Sequence, residues 1–89
     1  MKVELLSVPD CPHVARAREL LRGCVAELGL AVEVRESQGQ YPSPSILVDG
    51  VDVMGDPGYR AASCRVDVPT HAAVESALRA AEARERRHA

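Results

Sequence analysis

Residues 3–21 read VELLSVPDCPHVARARELL, and two periodicities meet inside them. Over residues 2–8 the apolar side chains alternate onto both faces of an extended chain, Val3 and Leu5 one way and Leu6 and Val8 the other. A strand that is apolar on both faces is expected at the centre of a sheet. Pro9-Asp10 ends the run. From Pro12 to about Leu28 the spacing turns helical: Val14, Ala17, Leu21, Cys24, Val25 and Leu28 form one stripe, and Arg16, Glu19, Arg22 and Glu27 lie largely elsewhere. Pro12 suits a first helical position, where its missing N–H has no partner to lose. Gly29 suits the stop. Cys11 stands at the junction, and Val14 occupies the place three residues on where a redox pair would carry its second cysteine.

The remaining elements follow from this start. Residues 30–36, LAVEVRE, alternate Val32 and Val34 against Ala31, Glu33 and Arg35, which predicts an edge strand with one wet face. SQGQYPSP, residues 37–44, is turn and loop material. SILVDGVDV, residues 45–53, predicts a hairpin turning at Asp49-Gly50. Residues 54–63 read as a loop, and CRVDV, residues 64–68, allows a short strand. Thr70 is placed to cap a last helix with Val74, Ala77, Leu78 and Ala81 on its apolar stripe. The expected order is β-α-β-β-β-α, with a globular domain over residues 1–83 and a charged C-terminal tail over 84–89.

Composition narrows the function classes. At 89 residues the chain makes one core, built without Phe or Trp and with only Tyr41 and Tyr59 as aromatics. A net charge of -2 argues against phosphate neutralisation, and the missing aromatics remove stacking platforms, so no nucleic-acid partner is expected. No run approaches the ~20 apolar residues of a membrane span. With no leader-like segment ahead of the first strand, the expected compartment is the cytoplasm, where three cysteines read as thiols rather than a disulfide framework.

Three motifs carry a resemblance: PDCPH at a helix start, SPS before the third strand, and a closing hairpin and helix. Together they resemble small thioredoxin- or glutaredoxin-like proteins. More narrowly, PDCPHVARARELL, SPSILVDGVDV and SCRVDVPT resemble short bacterial members often labelled as alkylmercury-lyase relatives. The resemblance implies an α/β, thioredoxin-like fold with a four-stranded mixed sheet. It also implies a cis Ser43-Pro44 bond presenting a backbone edge to an extended thiol substrate beside Cys11 and Pro12. ESQGQYPSP leaves no room for the family's second helix, so one sheet face is expected to lack cover and to invite a homodimer.

Candidate residues divide by environment. Cys11, between a strand end and Pro12, is expected to be a thiolate favoured by the helix N-terminus, a position that typically depresses a cysteine pKa. The alternative is a small residue filling a tight turn. His13 reads either as a solvated first-turn residue or, when protonated, as a further influence on Cys11. Asp10 reads as a proton donor near the thiol or as a helix cap. Cys24 lies on the apolar stripe and reads as core. Cys64 reads either as an inward strand residue or as the partner of Cys11 in a two-thiolate site. Such a pair suits a soft metal such as Hg(II), or reversible disulfide formation. His71 and His88 read as exposed and incidental. No resident cofactor is expected. The expected partner is a thiol-containing small molecule or protein. Any enzymatic activity would be thiol-disulfide exchange or, on the family label alone, organomercurial cleavage. A non-enzymatic binding or dimerisation module that has shed its redox pair is the alternative.

Overall fold

The computed structural model describes residues 1–39, 42–55, 63–64 and 69–88. Its elements are β1 (Val3–Ser7), α1 (Val14–Glu27), β2 (Val34–Gln38), β3 (Pro42–Ser43), β4 (Ser45–Val48), β5 (Val51–Asp52), β6 (Ser63–Cys64) and α2 (His71–His88). A four-stranded mixed sheet runs in the order β2-β1-β4-β5, and β3 and β6 form a separate two-stranded ladder. β1 is parallel to β2 across the α1 crossover and antiparallel to β4, which pairs antiparallel with β5. The doubly apolar strand is therefore central, as its pattern predicts.

One face of the sheet carries the core. Val3, Leu5, Ile46 and Val48 meet Ala17, Leu21 and Cys24 of α1 and Val74, Leu78 and Ala81 of α2, all buried. Alanine and cysteine, Ala17, Cys24 and Ala81, are part of this buried layer beside the larger aliphatic side chains. Both helices pack on this one face, and among the described residues no helix lies between β2 and β3. The opposite face holds Leu6 and Ser45, cross-strand partners. Leu6 is buried. Val8 is half-buried, and the large hydrophobic side chain that stands in solvent among the described residues is Val51, on β5 at the sheet's edge.

Local chemistry fixes the ends. Asp49 and Gly50 both have positive φ, 52° and 82°, the pair of values a tight type I′ hairpin needs. Asp49 also ties the hairpin to the start of β1, accepting from the Lys2 N–H at 2.7 Å while its own N–H donates to the Lys2 carbonyl at 2.7 Å. α1 closes with Gly29 at φ 64°; the Leu30 N–H reaches the Val25 carbonyl and the Gly29 N–H the Ala26 carbonyl, both at 3.1 Å, which is the Schellman arrangement. Thr70 Oγ1 accepts from the Ala73 N–H at 3.2 Å, the expected cap of α2. The charged segment read as a tail continues α2: Arg84 reaches Asp49, and Glu85 pairs with the N-terminal amine.

Two boundaries differ from expectation. β2 covers Val34–Gln38 rather than residues 30–36, because the chain spends residues 30–33 returning from the Schellman turn before it draws level with β1, Val3 facing Val34. Val32 and Val34 still face the core. α1 begins at Val14 rather than Pro12. The strand suggested for residues 64–68 is described only at its start, Ser63–Cys64; residues 65–68 lie outside the described residues.

Candidate thiol site

Asp10 adopts φ 62°, a left-handed conformation that turns the chain sharply after β1. Cys11-Pro12-His13 then forms a turn, the Val14 N–H lying 3.4 Å from the Cys11 carbonyl, before the Ala17 N–H to His13 carbonyl bond at 3.1 Å opens the helix. His13 is the N-cap, in helical conformation and without a side-chain cap bond. Pro12 thus precedes the helix instead of opening it, and Asp10 does not cap it. The left-handed Asp10 redirects the chain ahead of Pro12, so the first hydrogen-bonded turn of the helix starts beyond the proline. Cys11 is half-buried, while Asp10, Pro12 and His13 are exposed. Val14, in the place of a second cysteine, packs against the core.

Across the sheet, Leu6 lies opposite Ser45, so Ser43-Pro44 falls at the end of β1 that leads into Cys11. The Ser43-Pro44 bond is cis, as the resemblance implies. Ser43 and Pro44 are buried, and the Ser43 hydroxyl meets no hydrogen-bond partner among the described residues. A buried hydroxyl in that state costs about 1–3 kcal/mol. Ser43 pairs in parallel with Cys64 through β3 and β6. The backbone of Cys64 therefore sits at the same end of the molecule as the turn bearing Cys11. The loop expected to carry Cys64 there, residues 56–62, lies outside the described residues. The β3–β6 ladder was invisible in a sequence read as loop on one side and ambiguous on the other.

Cys24 answers its expectation. It is buried against α2, its Sγ 4.0 Å from the His71 carbonyl oxygen. Burial pushes its pKa up, and the nearby Glu27 and Glu75 carboxylates add to the effect, so it stays a protonated thiol.

His71 is exposed, as expected, but it is not incidental: carboxylates of Glu27 and Glu75 face its two ring nitrogens at 3.2 and 3.5 Å. The i,i+4 spacing of His71 and Glu75 was readable; the arrival of Glu27 required the docking of α1 on α2. No helix among the described residues is long and apolar enough to cross a membrane. No family model matches the chain, and neither does any curated protein or solved structure.

Proposed function

We propose that the chain is a thioredoxin-like protein working through the Cys11 thiol in one-cysteine thiol–disulfide exchange. The order β2-β1-β4-β5, with a parallel β1–β2 pair, an antiparallel hairpin and α2 after it, supports the fold. One observation carries the site: the strand registers, Leu6 opposite Ser45 and Ser43 opposite Cys64, collect the approach to Cys11, the Ser43-Pro44 edge and the Cys64 backbone at one end.

The chemistry balances without an added oxidant. The Cys11 thiolate attacks one sulfur of a substrate disulfide; the substrate S–S bond breaks, and the second sulfur leaves as a thiolate. The resulting mixed disulfide is then attacked at one of its two sulfurs. Cys64 attacks at the Cys11 sulfur, which releases the first half of the substrate as a thiolate and leaves a Cys11–Cys64 disulfide. Glutathione or a protein thiol attacks at the substrate sulfur, which forms a new disulfide there and returns the Cys11 thiolate. With Val14 in place of a neighbouring cysteine, the resolving thiol has to come from elsewhere. The Ser43-Pro44 edge would hold an extended substrate, and Asp10 and His13 border the turn where protons are exchanged. The cytoplasm, with its reduced thiol pool, fits this chemistry. The same register favours a second reading, in which the two cysteines hold a soft ion such as Hg(II) as cargo.

Exposure to oxidised glutathione followed by peptide mass mapping tests the reading. One glutathionyl group is expected on Cys11, absent in Cys11→Ser, and longer-lived in Cys64→Ser if Cys64 resolves it. An adduct equally abundant in Cys11→Ser would remove the proposal.

A further inference from the structure

Glu27 is the last residue of α1, and His71 and Glu75 stand one turn apart at the start of α2, where the two helices meet. His71 Nε2 lies 3.2 Å from Glu27 Oε2, and His71 Nδ1 lies 3.5 Å from Glu75 Oε2. One donor atom from each of the three residues lies within 4.8 Å of the other two. Glu27 and His71 are exposed and Glu75 is half-buried, so solvent reaches the cluster.

A neutral imidazole carries one N–H; it donates to one carboxylate and turns a lone pair toward the other. Carboxylates at both ring nitrogens therefore suit a second ring proton, or a metal ion on Nε2 beside Glu27 with the remaining Nδ1–H donated to Glu75. We propose that Glu27, His71 and Glu75 form a binding site for a divalent transition cation of the zinc class. One imidazole nitrogen with carboxylate oxygens is a donor set that zinc accepts. Metal–ligand bonds of about 2.0–2.1 Å at a tetrahedral angle place donors about 3.3 Å apart, close to the spacing already held by His71 and Glu27. Glu75 comes from the same helix face as His71, four residues on, and its Oε1 is held by Arg79 Nε at 3.0 Å, which keeps Oε2 beside Nδ1, where it accepts the remaining ring N–H and turns Nε2 toward Glu27 and the ion.

The surroundings act in both directions. The C-terminal end of α1 favours a cation, whereas the N-terminal end of α2 opposes it. The site would clamp the end of one helix to the start of the other, and an ion bound there stabilises the folded chain by mass action. This inference stands apart from the thiol reading.

Zinc chloride titrated into untagged Cys11→Ser/Cys64→Ser protein tests it, because neither thiol then competes. About one equivalent is expected to bind, with the affinity of Glu27→Gln and of His71→Ala reduced roughly tenfold or more. Tm should rise with zinc in the parent protein and not in these variants. Glu27→Gln changes an exposed helix end and carries the test if His71→Ala does not fold. Zinc affinity unchanged in Glu27→Gln, or no binding and no Tm rise at millimolar zinc, would overturn the site.

Discussion

One cysteine lies just ahead of α1 and another near its C-terminal end, and the two have opposite surroundings. Cys11 lies in the turn ahead of the helix, half-buried, at the sheet end that also carries Ser43-Pro44 and the backbone of Cys64. Cys24 lies nearly four turns on, buried between α1 and α2, with burial raising its pKa. The residue type is the same; solvent access and backbone context separate the group proposed to react from a packing group. A thiol walled in by hydrocarbon and close to two carboxylates is held in the protonated form, which is neither nucleophile nor soft ligand.

The comparison can be strained first through stability. Cys24→Ser places a hydroxyl where the core offers one distant carbonyl, and should cost about 1–3 kcal/mol. Cys11→Ser should cost less than about 1 kcal/mol, because the turn is held by backbone and proline rather than by the sulfur. Denaturant midpoints of the two variants check the ranking; equal losses would mean that Cys11 is as structural as Cys24.

A smaller effect lies at the far end of β1, where the hairpin is tied down. The Lys2 N–H, then the terminal amine and Arg84, hold the Asp49 carboxyl below its ordinary value near 3.8. A carboxylate depressed in the folded state contributes stability that is fully present above its unfolded value and is lost as pH falls through its folded value. Asp49→Asn keeps a residue that tolerates the left-handed turn but removes this contribution. The gap between parent and variant should be constant above about pH 5 and narrow as pH falls below about 4. A gap that does not change with pH would show that the Asp49 charge adds nothing. The exposed Arg18–Glu36 pair, bidentate at 2.7–3.0 Å, joins α1 to β2 in the same screened regime and should matter little at physiological salt.

Legibility followed the locality of the cause. Asp49-Gly50, Gly29 and Thr70 announced their turn, stop and cap because each acts within a few residues. The central position of β1 was legible from Val3, Leu5, Leu6 and Val8, since two apolar faces need two covers. Cys24 was legible because its place on the stripe decides its burial. Features set by distant partners were not. The offset of β2 depends on how much chain the Schellman turn consumes before Val34 comes level with Val3. The late start of α1 depends on the left-handed Asp10, which redirects the chain ahead of Pro12. The β3–β6 ladder joins two-residue strands about twenty positions apart, too short to leave a period. Glu27 meets His71 only because two helices dock. At the thiol site, the sequence marked Cys11, Ser43 and Pro44; strand register adds that the ends carrying them lie together.

The central claim is that Cys11 is an activated thiol, and its alkylation rate in the native protein tests that claim most directly. With iodoacetamide at neutral pH, Cys11 is predicted to react faster than the thiol of glutathione under the same conditions, while Cys24 reacts only as the chain opens. A Cys11 rate equal to or below that of glutathione would contradict the account.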